Sequence, residues 1–188
     1  MSLRITAGQW RGRALRTVPG RAVRPSPAML REALFNIVGP AITGARFLDL
    51  AAGSGAVGIE ALSRGAAHAT FVEIHPASLA VIRRNLETLG ALERATLLRR
   101  DAALAPDELA RRGERFDLAF LDPPYDTETA AACVRAPGLR AIIPPRCRLY
   151  VQHRRGAALP AAPGWRLADE RRFGDTVLTT LEREEDGA

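Results

Sequence analysis

RFLDLAAGSGAVG, residues 46–58, runs from an apolar, strand-like pentad through a glycine-rich turn into a helical pattern. Gly53, Gly55 and Gly58 keep the GxGxxG spacing. That spacing lets backbone N–H groups and a helix N-terminus approach a ligand that side chains would exclude. A strand, this turn and a helix open an α/β unit with a nucleotide-like cofactor at the strand's carboxyl end. The same spacing occurs in dinucleotide-binding dehydrogenases, so it decides the fold and leaves the chemistry open.

Outward from this loop the pattern is regular. Strand-like runs RFLDL (46–50), ATFVE (69–73), ATLLR (95–99), FDLAFLD (116–122) and RLYVQ (148–152) alternate with helical stretches at 56–64, 76–89, 106–112 and 127–135. Such βαβα alternation predicts a mostly parallel sheet covered on both faces, with ligands at the carboxyl ends of its strands. RLADERRF (166–173) and TVLTTLE (176–182) flank Gly174-Asp175 and predict a closing antiparallel hairpin. Upstream, RITAGQWRGRALRT (4–17) offers two short segments around Gly8 and Gly12 that can pair, followed by the Pro/Gly/Arg stretch VPGRAVRPSP (18–27). Pro27 is placed to open a helix with Met29, Leu30, Ala33, Leu34 and Ile37 on one apolar face, stopped by Gly39-Pro40.

With 188 residues, 47% of them hydrophobic, the chain suits one globular unit plus a short appendage, divided as a basic arm and helix (1–40) and a larger domain (41–188). The N-terminus lacks the apolar core of a signal peptide and no apolar run is long enough for a membrane span, so a cytoplasmic protein without membrane association is expected. Cys133 and Cys147, with no Cys/His ligand spacing around them, read as reduced structural thiols, and no metal site is expected. The net charge is +6, yet the first 31 residues carry seven arginines and no acid, while the rest carry 20 arginines against 21 acids. One basic end suits a polyanionic partner, nucleic acid foremost. The chain has no lysine, so a compositional bias accounts for arginine over lysine but not for the missing acids.

Asp49, Glu73 and Asp101 end three successive strand patterns and form a candidate cofactor rim, joined by Ala51, Gly53, Ser54 and Gly55 of the loop. Glu73 suits ribose hydroxyls; Asp101 suits an adenine amino group; Asp49 either faces the cofactor or braces the loop. FDLAFLDPPY, residues 116–125, adds the reactive chemistry. A base amino nitrogen is a poor nucleophile because its lone pair is conjugated with the ring. The Asp122 carboxylate and the Pro123 carbonyl can accept its two hydrogens, Pro123 and Pro124 stiffen the turn, and Tyr125 can stack on an unstacked base. Methyl transfer from S-adenosylmethionine to a nucleobase nitrogen follows, needing chiefly in-line positioning in a dry pocket.

Nearly the whole chain resembles the RsmD family of bacterial 16S rRNA guanine-N2 methyltransferases. The likeness is carried by RITAGQWRGRAL (4–15), VRPSPAMLREALFN (23–36), the loop at 49–58, EALSRGAAHATFVE (60–73), FLDPPY (120–125) and RRFGDT (171–176). It implies a Rossmann-like class I methyltransferase fold with a mostly parallel seven-stranded sheet, a C-terminal antiparallel hairpin and a small basic N-terminal arm. It also implies S-adenosylmethionine at Gly53, Gly55 and Glu73, and guanine 966 of 16S rRNA, in the small subunit or its assembly intermediate, at Asp122 to Tyr125. The chain departs from the family pattern at Ala51, at 26–30, and at Gln152 where the family usually has Glu. Arg11, Arg13, Arg24 and Arg31 are candidates for binding phosphates, and Trp10 and Phe35 are expected in the core. A monomer is expected. DPPY alone also admits DNA adenine-N6 or cytosine-N4 methylation, and a non-catalytic RNA-binding assembly factor is the alternative outside enzymes.

Overall fold

The computed structural model describes residues 3–18, 28–123, 127–157, 159 and 163–185. Within them, seven strands form one sheet in the order β3-β2-β1-β4-β5-β7-β6. The strands are β1 (Arg46–Leu50), β2 (His68–Val72), β3 (Ala95–Leu98), β4 (Leu118–Leu121), β5 (Arg148–Arg154), β6 (Trp165–Phe173) and β7 (Thr176–Arg183). The first five pair in parallel; β7 runs antiparallel between β5 and β6. This is the mostly parallel sheet expected from the alternation, hairpin included, and the Rossmann-like class I fold that the resemblance implies. The parallel strands read as near-continuous apolar runs, β4 being buried at all four positions, because helices cover both faces.

The helices are α1 (Ala28–Val38), α2 (Ala56–Ser63), α3 (Pro76–Leu89), α4 (Ala105–Arg111), α5 (Thr127–Arg135) and α6 (Pro137–Ile142). On one sheet face, Phe47, Phe71, Phe120 and Tyr150 pack against Leu34 and Phe35 of α1, Ile59 and Leu62 of α2, and Ile82 and Leu86 of α3. On the other, Leu48, Leu50, Leu121, Leu149 and Val151 meet Leu109 of α4, Cys133 of α5 and Leu139 of α6. Both cysteines are free; burial pushes the Cys133 thiol up to about 12. Among the described residues no helix is long and apolar enough to cross a membrane.

The N-terminal segment is part of this core. Leu3, Ile5, Trp10 and Leu15 pack in the first cluster beside Leu34 and Leu62. The two short segments do pair, through an Arg4↔Ala14 bridge and amide bonds from Ile5 to the Arg13 carbonyl (3.0 Å) and from Gly12 to the Ile5 carbonyl (2.8 Å). In α1, Met29 is 62% exposed rather than on the apolar face, because the helix turns Leu30, Arg31, Leu34, Phe35 and Val38 inward. Gly39-Pro40 ends the α-helix but tightens into a 3-10 turn, Gly39–Ile42, instead of releasing the chain. Helix α6 has no counterpart in the sequence pattern: its six residues, PGLRAI, begin with Pro-Gly and are too few for periodicity to register.

Candidate active site

Strand order reverses between β1 and β4, each pairing with the other and then with strands on opposite sides. Crevices for ligands open at the carboxyl ends of the strands at such a reversal. The glycine loop leaves β1 there. Ala51 takes a positive φ of 60°, and Gly53 and Gly55 take 56° and 74°. The three glycines serve different ends. A Cβ on Gly58 would lie 2.3 Å from the Phe71 ring, and one on Gly55 would lie 2.8 Å from Ile82 Cγ1, so both permit close packing beneath the loop. A Cβ on Gly53 would meet only the Ala51 carbonyl oxygen at 4.0 Å; it would stand in open space where a ligand would lie. Helix α2 starts behind the loop from Gly55, which has no side chain to cap it; the Gly58 amide in its first turn is taken by Asp49.

Acids bind this loop together. Asp49 is buried, and its Oδ2 accepts the Gly58 amide at 2.9 Å, which makes it a brace under the loop. Burial pushes its carboxyl well above the usual range; the Gly58 amide opposes this, and the Asp122 and Glu73 charges add to it. Glu73 Oε2 accepts the Gly53 amide and Oε1 the His75 amide, each at 2.8 Å, fixing the carboxylate at the mouth of the crevice. Asp101 Oδ1 accepts the Ala103 amide at 2.8 Å, three residues beyond the end of β3. Ser54 is buried and Ala51 half-buried. These residues fit a nucleoside-bearing cofactor: open space at Gly53 and carboxylates just past β2 and β3.

Asp122 follows β4 directly, and its amide donates to the Leu50 carbonyl of β1 at 3.4 Å. The half-exposed acid thus sits at the strand-order reversal, with buried Pro123 after it. Pro124 and Tyr125, expected to stiffen the turn and stack on the base, lie outside the described residues, as does Arg24.

The arginines expected to bind phosphates separate. Arg31 is 1% exposed, so it does not face a partner: its Nη2 donates to the Arg4 carbonyl at 2.6 Å and its Nε lies 3.9 Å from Glu60 Oε2. It ties α1 to the arm. Arg11 and Arg13 are exposed, but at the edge opposite Asp122. The neighbouring Gln9 amide donates to the carbonyl of Ser63, the last residue of α2, at 2.8 Å. Nearby Gly65 in turn accepts the Gly44 amide just before β1 begins.

Sequence reading did not single out Glu60, the residue that holds the arm. Wholly buried, it accepts the Thr6 amide (2.9 Å), the Thr6 hydroxyl (2.7 Å), the Ala7 amide (2.9 Å) and Arg64 Nε (3.0 Å). A signal existed: Glu60 is the one charge in AVGIEALS. Asn85 is a second clamp, accepting the Arg16 amide at 2.9 Å and donating to the Arg16 carbonyl at 3.1 Å.

A family model described as "Conserved hypothetical protein 95" matches residues 3–182. "Ribosomal RNA small subunit methyltransferase D" of Escherichia coli (strain K12) is 34% identical over 186 residues, 98% of this chain and 92% of that protein. The chain belongs to this RsmD family. YlbH of Bacillus subtilis (strain 168) is 36% identical over 180 residues, 96% of this chain and 92% of that protein. Among solved structures, yhhF from Escherichia coli matches with a TM-score of 0.84 at 33% identity, covering 98% of this chain and 99% of that one. A structure complexed with SAH shares the fold alone, at 16% identity and a TM-score of 0.67 over 82% of this chain and 48% of that one. Against the RsmD family pattern, Ala51 holds its positive φ with a small side chain beside the crevice.

Proposed function

We propose that this protein is an S-adenosylmethionine-dependent RNA methyltransferase that modifies the exocyclic N2 of a guanine, guanine 966, in 16S rRNA of the small ribosomal subunit or its assembly intermediate. One observation carries the reading. The Asp122 amide is bonded to β1 beside the glycine loop, and Asp122 lies close enough to Asp49 for its charge to act there, as that of Glu73 does. An acid suited to a base amino group therefore shares one edge with the crevice suited to the cofactor.

In this reading Gly53, Glu73 and Asp101 hold the cofactor, with Asp49 bracing the loop. The cofactor supplies a methyl group on a sulfonium, a good leaving group. The Asp122 carboxylate and the Pro123 carbonyl hold the two amino hydrogens, aim the nitrogen lone pair and exclude water, and Asp122 takes the proton released; Pro124 and Tyr125 complete the base pocket. Arg11, Arg13 and Arg24 bind phosphates, and the far-edge position of Arg11 and Arg13 suits a large RNA that wraps past the base being modified. The roles of 1–40 in RNA binding and of 41–188 in transfer are then a division of labour within one shared core. The enzyme acts in the cytoplasm as a monomer.

The test is transfer of labelled methyl from S-adenosylmethionine to small ribosomal subunits from cells lacking this protein, with nucleoside mass spectrometry of the RNA and duplex DNA as the comparison. N2-methylguanosine at one rRNA position is expected. Methylated adenine or cytosine in the DNA arm would overturn the reading.

A further inference from the structure

Two buried polar atoms on β5 and β7, Gln152 Oε1 and Thr180 Oγ1, have no hydrogen-bond partner among the described residues, and the Tyr150 hydroxyl between them has at most Arg148 nearby. Buried acceptors and hydroxyls are rarely left unmet, so each such group calls for an explanation. The three residues are neighbours in the sheet. Tyr150 pairs directly with Thr180 across β5 and β7, and residues two apart on β5 share a face, so Gln152 lies on the same side as Tyr150.

The same alternation brings Asp122 in. Phe120 of β4 pairs with Tyr150 and Leu121 with Val151. One further step of that register sets Asp122 beside Gln152, both on the Tyr150 face. An unsatisfied carbonyl oxygen therefore flanks the acid that, in the reading above, holds the amino group of the target base.

The three exocyclic amino groups of nucleobases differ in their ring neighbours. Guanine N2 adjoins N1, which carries a hydrogen. Adenine N6 and cytosine N4 adjoin ring nitrogens that carry only a lone pair. An acceptor next to the amino-holding acid is satisfied by guanine and repelled by the other two. Sites built to hydrogen-bond a substrate N–H discriminate strongly against analogues lacking it, because the protein group is then left unpaired.

We propose that Gln152 is a specificity-determining residue, its side-chain carbonyl accepting the N1–H of the target guanine while Asp122 holds N2. This rests on the guanine-N2 reading. It assigns the choice of base to β5, whereas Asp122 and Pro123 after β4 would hold any amino group.

The experiment compares small subunits reconstituted with guanosine or with 2,6-diaminopurine riboside at the target position. The analogue keeps the 2-amino group, replaces N1–H by a lone pair and exchanges the 6-oxo group for an amino group, a second change that is the same for every variant and cancels in the comparison between them. Single-turnover methylation is measured for wild type, Gln152→Leu and Gln152→Glu, with melting temperature and S-adenosylmethionine affinity alongside. Wild type should prefer guanosine. Gln152→Leu should lower the guanosine rate on the order of tenfold to a hundredfold and the diaminopurine rate much less, so that the preference collapses. Gln152→Glu, an acceptor on both oxygens, should restore the preference.

Equal losses on both bases, or a fall in cofactor affinity, would mean that Gln152 only supports the fold and would overturn the assignment. A wild-type preference for diaminopurine would overturn it too, since the amide would then present its nitrogen. Absence of N2 methylation on either base would sink the guanine-N2 reading itself, an outcome distinct from the other two.

Discussion

Glu60, five residues along the chain from Gly55 of the glycine loop, holds the amide and the hydroxyl of Thr6 at 2.9 and 2.7 Å, across 54 positions of sequence. It is the buried anchor on which the arm is folded, with Arg31 and Arg64 balancing its charge. Removing one member of a buried charged network leaves the others uncompensated, which costs about 3–5 kcal/mol. Glu60→Ala should lower the melting temperature by roughly 10 °C. Thermal unfolding followed by circular dichroism checks it; an unchanged midpoint would mean that the arm is held by its apolar packing and by the Asn85 and Ser63 bonds without Glu60.

Gly8 and Gly12 have nearly the same backbone, φ +80° and +81°, but different surroundings. A Cβ on Gly8 would fall 2.0 Å from the Ser63 carbonyl oxygen, whereas one on Gly12 would meet nothing within 4 Å. Gly12→Ala should therefore show only the left-handed backbone penalty, about 1–2 kcal/mol. Gly8→Ala should cost at least about 2 kcal/mol more, as overpacking does. Equal losses in denaturant titrations would show that the arm's approach to α2 is adjustable.

The parallel sheet, the hairpin and nearly every strand boundary are legible in the sequence because apolar runs bounded by glycine, proline and charge are local signals. Helix α3 lies at the bounds its sequence predicts, since Pro76 opens it and Gly90 closes it. Arg31 shows the limit. Its place in a basic stretch suggests a surface charge, and its burial depends on groups distant in the chain, among them the Arg4 carbonyl and the carboxylate of Glu60, 29 positions on. The glycine loop is legible as a site, but the differing duties of Gly53 and Gly58 depend on Phe71, a residue of another strand. Gln152 carries no motif; the role proposed for it comes from the register that sets β5 beside β4.

The two ends of the crevice should separate in function. Gly53→Ala puts a methyl group where the cofactor is expected and should weaken S-adenosylmethionine binding about tenfold or more in calorimetric titration. Asp122→Ala should leave that affinity near wild type and lower methyl transfer at least about a hundredfold. Wild-type turnover by the second variant would remove Asp122 from the chemistry; wild-type affinity in the first would move the cofactor away from Gly53.

Asp49 should make stability fall as pH rises. Its carboxyl is raised in the folded protein, chiefly by burial, above an ordinary value of 3.8. Between the unfolded and the folded value the native state binds more protons than the unfolded chain, so stability decreases as pH climbs through that window. Asp49→Asn keeps an acceptor for the Gly58 amide and removes the titration. The melting temperature of the variant relative to wild type should rise from about pH 4 upward, and a constant difference would show that Asp49 is ionised in the fold without penalty.

Arg11 and Arg13, exposed on the far edge, should matter to RNA affinity and not to the chemical step. Replacing both with alanine should weaken binding and reduce the slope of log affinity against log salt by about 0.7–0.9 for each phosphate that is no longer neutralised. Filter-binding titrations across a salt series measure this, and an unaltered slope removes both from the interface.

Helix α2 is eight residues long. Gly58, bonded to Asp49 beneath the glycine loop, and Glu60, the anchor of the arm, stand two positions apart on it. If the arm captures substrate and the glycine loop holds the cofactor, as proposed, a genetic screen for alleles defective in one will return α2 substitutions that also disturb the other. Phenotypes mapped to this helix describe one shared spine, and complementation between two such alleles is not expected.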